Sequence, residues 1–487
     1  MAEIILVYPK SSYIETAMKG QYLPLALLQA AIFAEKEFSV KIIDQRTAKR
    51  WDTDIIKSLN KDTLCVGITA LTGEMINNAL EVSRFVKKFS KVPVVWGGVH
   101  PTMLPAQTLG NKFIDIVVIG EGELTFYELA KALRNNLPLD EIPGLAYKKD
   151  GNIKINQYRP LMNLDDLPDP PYHLVNIEDY IIKFGKKNMF IMETSRGCPY
   201  SCAFCYSTSF GFREKWRPLS PDKTLERIKV IKEKFNIDGI EIIDLNFFID
   251  SKRAKTILSR IIEEKMNIFL NMVGRIDDIL KLDNGNLDLL ERSNVRRLAV
   301  GVESGSQRIL GMIQKGISIE QVLDFKDRID KTRIPPIYNF IGGFPTETER
   351  DLKLSTEIML RLLKNNKRAK VSIFHCFRPL PGTKLIDVCV EEGLVMPQTL
   401  GEWGKYSMTY VEHPWLTKKL KRKIEMLHFV SLFLDRKHEE VSSIAVKIFA
   451  SFYWPIAYLR LRTLSTFCFV EYFILKLYER MRRFKIF

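Results

Sequence analysis

The chain has 487 residues, which exceeds the roughly 250 to 300 residues at which one hydrophobic core stops growing, so two or three domains are expected. Hydrophobic residues make up 46% and charged residues 27%, a composition that excludes a mainly disordered, collagen-like or disulfide-framework protein. Lys and Arg outnumber Asp and Glu by 73 to 58, and the net charge of +15 favours an anionic partner such as nucleic acid, a phospholipid surface or a phosphorylated ligand.

Short β-branched runs alternate with amphipathic stretches from Glu3 to about Pro143. This alternation predicts a parallel, doubly wound α/β sheet whose ligand lies beyond the carboxyl ends of the strands. No GxGxxG sequence follows the first strand, so a nicotinamide or flavin fingerprint is absent. A sheet whose glycines only form turns is the alternative. The loops at the strand ends contain Thr69, Leu71 and Thr72; Gly97, Gly98, His100, Pro101 and Thr102; and Gly120, Glu121, Gly122 and Glu123.

A proline-rich stretch follows this first unit. The run DLPDPPYHL forbids regular structure and marks a domain boundary. From Asn188 onward, six strand patterns alternate with helical ones, which predicts a partial barrel of six βα units rather than a full eight-fold barrel. Beyond about Gly401 the pattern is helical. We therefore expect a first domain over 1–145, a linker over 146–187, a barrel over 188–400 and a helical extension over 401–487.

Three of the seven cysteines fall within eight residues. Cys198, Cys202 and Cys205 form CxxxCxxC just after the first strand of the second unit, and this clustering indicates metal ligation in a reducing compartment. A tetrahedral zinc site needs four ligands, whereas this loop supplies three and no nearby histidine. Three thiolates suit a [4Fe-4S] cluster with one open iron, and a zinc site completed by a remote ligand is the alternative. The other cysteines, at 65, 376, 389 and 468, are expected to be dispensable.

The cysteine motif, with the aromatic Phe204 before its third cysteine, resembles the radical S-adenosylmethionine (SAM) superfamily. The runs IIDLNFFID, GVESGS followed by QKG, FIGGFPTETERDL and FRPLPGTKL resemble strand ends of that barrel. The first 145 residues, with LPL opening the first helix and the turns GGVHPT and GEGE, resemble the cobalamin-binding domain of one large subfamily. The chain is thus identified as a member of the cobalamin-binding radical SAM family over residues 1 to about 400.

The resemblance implies three cofactors, namely a [4Fe-4S] cluster on the three cysteines, SAM on its open iron, and cobalamin in a Rossmann-like first domain. One electron from the cluster, supplied by a flavodoxin- or ferredoxin-type donor, would cleave SAM to methionine and a 5′-deoxyadenosyl radical. Glu303 would then face the ribose, and Arg275 or Ser304 the methionyl carboxylate. Surface or strand-capping roles are the alternative for each residue. The full set of SAM contacts implied is Phe204, Asp244, Asn246, Arg275, Glu303, Ser304, Gly342 and Gly343.

The same resemblance carries an expectation about cobalt. None of the six histidines stands two residues after an aspartate in a DxHxxG motif, so cobalamin is expected to bind without a protein histidine on cobalt. Thr69, Leu71 and Thr72 would lie near its lower face. His100 is expected to be a packing or tail-contacting residue.

The function implied is a C-methyltransferase that acts on an unactivated carbon through a 5′-deoxyadenosyl radical and methylcobalamin. The alternatives are a non-methylating radical enzyme, such as an oxidative cyclase or an enzyme that couples lipid chains, and a cobalamin or redox sensor. The substrate is expected to be a small or lipid-like molecule. No residue is assigned as a catalytic acid or base.

The C-terminal tail is strongly basic. From Thr417 to Phe487 it holds 15 Lys and Arg against 6 Asp and Glu, and its aromatic and aliphatic runs are typical of an interfacial amphipathic helix. A helical cap on the barrel is the alternative. Nucleic-acid binding is not expected, because no recognised module accompanies the charge. The chain shows neither a signal peptide nor an apolar run of about 20 residues, so a cytoplasmic protein with peripheral membrane contact is expected.

Overall fold

The computed structural model describes residues 2–11, 21–209, 216–282, 287–406, 412–434 and 444–466. Cys468 and the end of the basic tail, both subjects of the predictions above, lie outside these ranges.

The first unit is built on a seven-stranded sheet in the order β2-β1-β3-β4-β5-β6-β7. The first five strands are parallel, and β6 and β7 are antiparallel to their neighbours. Runs such as IILVY and CVGIT are buried almost throughout, as expected for parallel strands covered on both faces. The strands are β1 (Ile4–Tyr8), β2 (Val40–Asp44), β3 (Cys65–Thr69), β4 (Val94–Gly97), β5 (Ile116–Val118), β6 (Leu145–Lys149) and β7 (Asn152–Ile155). The helices are α1 (Leu25–Ala31), α2 (Trp51–Ser58), α3 (Glu74–Phe89), α4 (Val99–Met103), α5 (Pro105–Leu109) and α6 (Glu123–Asn135).

The first sheet continues past the predicted boundary at 145, because β6 and β7 form a hairpin on its edge. Asp150 and Gly151 connect the two strands with φ values of 51° and 78°. Positive φ at both central residues is the geometry that an Asp-Gly pair adopts in a two-residue hairpin turn. The sequence carried this signal, and the prediction overlooked it.

The second unit is a curled eight-stranded sheet with six parallel strand positions, and β8 pairs antiparallel with β9 at its edge. Five long strands run in parallel from β9 to β15, and the short β16 and β17 both pair with β15. This arrangement confirms the predicted partial barrel. The strands are β8 (Ile182–Phe184), β9 (Lys187–Met192), β12 (Gly239–Ile242), β13 (Phe269–Gly274), β14 (Val295–Glu303), β15 (Pro336–Gly342), β16 (Lys370–Val371) and β17 (His375–Cys376). A separate pair, β10 (Ser195–Arg196) and β11 (Arg217–Pro218), stands at the end of β9.

Burial alternates along the barrel strands, most regularly in β15, where every second residue is only partly buried. Since side chains of a strand point alternately to its two faces, one face packs under the helices and the other lines an open barrel interior. The surrounding helices are α7 (Pro221–Phe235), α8 (Ser251–Glu263), α9 (Ile276–Lys281), α10 (Asp288–Arg292), α11 (Gln307–Met312), α12 (Ile319–Ile329), α13 (Glu349–Leu363) and α14 (Leu385–Glu391).

The segment after the barrel first returns to the first unit. The short helix α15 (Leu400–Trp403) packs on α3, and the Trp403 indole donates to Gln107 Oε1 at 2.7 Å. Helix α16 (Lys418–Ser431) then lies on the barrel, where the Phe374 amide donates to Ser431 Oγ at 2.8 Å. Helix α17 (Ile444–Thr463) packs on α16 and α13.

Candidate functional site

A cavity of about 440 Å³ lies between the carboxyl edge of the first sheet and the mouth of the barrel. The strand order brings the ends of β3, β4 and β5 together at this edge, as expected for ligand sites in open α/β sheets. Its walls come from both units. The predicted residues that line it are Thr69, Gly97, Gly98, Gly120, Glu121, Gly122 and Glu123, and the barrel adds Glu193, Ser195, Arg196, Gly197, Tyr206, Ser207, Arg217, Ile243 and Leu245.

Two glycines shape the sheet side of the cavity. Gly98 has φ +97°, and a Cβ there would stand 2.8 Å from Thr69 Oγ1 and 2.9 Å from the Ala70 carbonyl oxygen. Gly120 has φ +77°, while the space around its Cα is open. Both positions therefore need glycine for backbone conformation, and Gly98 also needs it for space. The loops present bare backbone to the cavity, which fits a large planar ligand.

Five of the predicted cobalamin contacts do not line the cavity: Leu71, Thr72, His100, Pro101 and Thr102. Thr72 Oγ1 lies 2.9 Å from His100 Nδ1, and the Thr102 hydroxyl accepts a hydrogen bond from the Gly120 amide at 2.9 Å. The Thr72, His100 and Thr102 side chains thus make hydrogen bonds between the loops. Strand-end position alone could not show which loop residues line the cavity.

His100 is fully buried and packs edge-to-face on Trp403 at 5.8 Å between ring centroids. Burial lowers its pKa to about 4, so the ring is neutral near pH 7. His100 thus occupies a packing position. Among the described residues, no histidine lines the cavity.

The cysteine loop adjoins the cavity. Cys198, Cys202 and Cys205 follow β10, and all three are free thiols, Cys202 buried and the other two partly exposed. Cys205 Sγ lies 3.1 Å from Ser207 Oγ, and Ser207 lines the cavity. No three His, Cys, Asp or Glu side chains in the described ranges already stand in metal-ligating positions. Three unpaired thiols on one loop are nonetheless the donor set of an iron-sulfur cluster with an open iron.

Two cations face the buried thiol. Burial raises the pKa of Cys202, and Lys315 and Arg275 act in the opposite direction. Arg275 Nη1 lies 3.5 Å from Cys202 Sγ, and the guanidinium stacks on the Tyr200 ring at 3.7 Å. It also forms an ion pair with Asp277 at 3.0 Å. The nearby positive charge favours the thiolate, which is the form that ligates metals.

Glu303, the predicted ribose ligand, forms a buried ion pair. Its Oε1 lies 2.7 Å from Lys315 Nζ, and both side chains are more than nine-tenths buried. Glu303 has φ +67°, and a Cβ on Gly301 would stand 2.1 Å from the same carboxylate oxygen. Gly301 therefore makes room for the pair. Lys315 belongs to the QKG run, but the sequence prediction gave it no role.

Two predicted SAM contacts, Asp244 and Asn246, form hydrogen bonds within the protein. Both carboxylate oxygens of Asp244 accept hydrogen bonds from the backbone amides and hydroxyls of Thr194 and Ser195, at 2.6 to 3.0 Å. Asn246 donates to Asp278 and accepts from the Phe248 and Arg275 amides. These side chains hold the strand ends that carry the cysteine loop, and their contact with SAM stays a prediction.

The other four predicted SAM contacts also contact other parts of the protein. Ser304 is fully buried, with its Oγ 3.2 Å from Ser355 Oγ. A Cβ on Gly342 would stand 2.6 Å from the Phe374 ring. The Gly343 carbonyl accepts a hydrogen bond from the Trp415 indole at 3.0 Å. The Phe204 ring packs edge-to-face on Phe344, with 5.9 Å between the ring centroids.

Sequence reasoning missed the two arginines of the cavity wall. Arg196 forms ion pairs with Glu121, Glu123 and Glu193, and Arg217 forms one with Glu121. Two features of the sequence could have indicated a role for Arg196. It stands two residues before the first cysteine, and the GEGE turn contains two glutamates, which need a cation partner when they are buried.

Comparisons with known proteins agree with this geometry. The model of the "Radical SAM superfamily" matches residues 192–357, and that of the "B12 binding domain" matches residues 15–130. An uncharacterized methyltransferase of Pyrococcus horikoshii is 31% identical over 460 residues, which are 93% of this chain and 92% of that protein. The cytidylyl-2-hydroxyethylphosphonate methyltransferase of Streptomyces wedmorensis is 26% identical, covering 74% of this chain and 72% of that protein.

A third relative, the anaerobic magnesium-protoporphyrin IX monomethyl ester cyclase of Synechocystis, is 30% identical over 224 residues, 46% of this chain and 44% of that protein. Among solved structures, the cobalamin-dependent SAM radical enzyme OxsB, with aqua-cobalamin and SAM bound, superposes with a TM-score of 0.71 at 19% identity. That match covers 99% of this chain and 75% of the other. The chain therefore belongs to the radical SAM superfamily, in the branch that carries an N-terminal B12-binding domain.

Proposed function

We propose that this radical SAM enzyme is a cobalamin-dependent methyltransferase that methylates an unactivated carbon. The observation that supports this best is the cavity itself, which places the edge of the B12-binding sheet directly against the loop of the three cysteines. When bound, the cluster with SAM supplies a 5′-deoxyadenosyl radical and cobalamin supplies a transferable methyl group.

The chain's own residues would bind and orient these groups. Cys198, Cys202 and Cys205 would hold three irons and leave the fourth open to SAM. Arg275 and Lys315 would partly offset the effect of burial on the Cys202 thiolate, and the glycine loops at Gly98 and Gly120 would carry cobalamin.

Apolar side chains remain accessible in the cavity. Leu161, Ile243 and Leu245 are each more than a third exposed, and all three line it. A ligand that covers them gains hydrophobic free energy and keeps water from the reacting atoms. This surface suits the corrin ring and an apolar part of the substrate.

Product analysis tests the proposal. The chain is reconstituted anaerobically with iron, sulfide, cobalamin and SAM, reduced by a flavodoxin-type protein or by dithionite, and its SAM-derived products are measured by mass spectrometry. We expect both 5′-deoxyadenosine and S-adenosylhomocysteine, and a product heavier by one CH₂. Formation of 5′-deoxyadenosine alone would favour the oxidative cyclase. Absence of both products would favour a sensor.

We also propose that the tail holds the enzyme at a membrane surface, with an apolar or lipid-like substrate. Helix α17 buries Tyr453 and Ala457 but exposes an apolar stripe on its opposite face. The stripe consists of Ile448, Phe452, Ile456 and Leu459. A helix able to span a bilayer is absent from the described part of the chain. An exposed apolar stripe beside a basic tail supports shallow binding to anionic lipids.

We expect Phe452→Asp/Ile456→Asp to abolish co-sedimentation with vesicles that contain anionic phosphatidylglycerol. Phe452 is 80% exposed, so aspartate there removes buried lipid contact at little cost to folding. The matched control is Val395→Asp, since Val395 is 84% exposed outside the tail. Equal sedimentation of the double variant, the control and the wild type would contradict membrane contact through α17.

A further inference from the structure

Arg196 is the most heavily paired cation in the cavity wall. Its side chain is 11% exposed, and the guanidinium meets three carboxylates: Glu193 at 2.9 Å, Glu121 at 2.9 Å and Glu123 at 2.7 Å. The planar fork of arginine fixes the directions of its hydrogen bonds, so three such partners define its position closely.

The partners of Arg196 come from both units. Glu121 and Glu123 belong to the turn between β5 and α6, whereas Glu193 and Arg196 follow β9 just before Cys198. Two neighbours extend the contact. Gln29 of α1 donates to Glu193 Oε2 at 2.8 Å, and Arg217 of β11 pairs with Glu121 and also donates to the Met162 carbonyl of the linker region. We call Gln29, Glu121, Glu123, Glu193, Arg196 and Arg217 the arginine cluster; all six line the cavity.

Net stability does not explain such a cluster. Desolvating ionic groups costs about as much as their pairing returns, and apolar side chains of similar volume would serve folding equally well. Apolar packing cannot fix a single relative position of the two units. A cluster of directional ion pairs can fix it, and here the position concerned is that of the cysteine loop against the B12-binding edge of the first sheet.

We infer that Arg196 is a positioning residue that sets the separation between the iron-sulfur cluster and cobalamin. This rests on the proposed function, in that cobalamin must occupy the cavity. Because Arg196 lies two residues before Cys198 and touches the turn after β5, a shift in its contacts moves one cofactor site relative to the other. An error of about 1 Å in such a placement costs on the order of 100-fold in rate.

The test is Arg196→Lys, which keeps the charge and loses the fork, in the fully reconstituted enzyme. We expect native iron and cobalamin content. We also expect a changed spin relaxation of cobalt(II) when the iron-sulfur cluster is reduced and paramagnetic, since that relaxation depends on the distance between cobalt and the iron-sulfur cluster. We also expect about a 100-fold loss of S-adenosylhomocysteine formation. Glu123→Gln, which keeps the hydrogen bond and loses the charge, is a second variant should lysine not be tolerated. Arg260→Lys, which changes an ion-paired arginine on the outer face of α8, is the matched control.

Each outcome is decisive. Wild-type relaxation in Arg196→Lys and Glu123→Gln, with both cofactors bound, would overturn the inference and leave the proposed function standing. Loss of cobalamin from both variants would show that the arginine cluster binds cobalamin rather than setting its separation from the iron-sulfur cluster, and would also overturn the inference. A wild-type enzyme that binds no cobalamin would remove the proposed function, and this inference with it.

Discussion

Replacing Cys198, Cys202 or Cys205 singly with serine is expected to abolish iron binding and SAM cleavage. A cluster with one open iron has only three protein ligands, so the loss of one leaves two thiolates for four irons. A serine hydroxyl is a poor substitute, because soft sulfur donors select iron-sulfur chemistry. Iron and sulfide content, electron paramagnetic resonance of the reduced cluster and 5′-deoxyadenosine formation measure the effect.

The control replaces the other cysteines, at 65, 376, 389 and 468, with alanine. The first three are buried, and burial raises the pKa of each thiol to about 12, so they remain protonated and act as small apolar side chains. We expect the quadruple variant to keep its iron and its SAM cleavage. A folded quadruple variant without a cluster would show that the three cysteines are not the complete protein ligand set.

The fold could be predicted from the sequence wherever the pattern of apolar and polar residues in a segment matches the burial of that segment in the folded protein. Apolar runs such as β3 predicted the parallel strands, since a strand covered on both faces must be apolar throughout. The hairpin of β6 and β7 was missed because its outer strand is entirely exposed and lacks that pattern. Its only signal was the Asp150-Gly151 turn.

The site was predictable only where residue type and spacing determine the chemistry. The three cysteines meet that condition. The SAM contacts do not, because a strand-end position does not show whether a side chain faces the cavity or, like Asp244, holds the neighbouring strand. Arg196 was missed for another reason: its partners Glu121 and Glu123 lie 75 and 73 residues away in the chain, and only the folded structure brings them together.

The ion pair of Glu303 and Lys315 was also beyond sequence reasoning, although its residues are only 12 apart. It depends on Gly301, on the left-handed φ of Glu303 and on a register shift between β14 and β15 at this point. Such irregularities at the carboxyl end of a barrel strand cost backbone free energy and are retained where they place a functional side chain.

Lys315→Met is expected to destabilise the protein by about 3–5 kcal/mol, because it leaves the carboxylate of Glu303 buried without its cation. Lys315→Met/Glu303→Gln should recover much of this loss, since it removes the unpaired charge as well. Lys223→Met is the surface control: Lys223 pairs with Glu226, which is 59% exposed, and its loss should cost at most about 1 kcal/mol. Denaturant unfolding of the four proteins, each without added cofactors, measures these free energies. If Lys315→Met cost no more than Lys223→Met, the pair would not be the buried, mutually dependent element described above, and Glu303 would be free to turn toward a bound ribose.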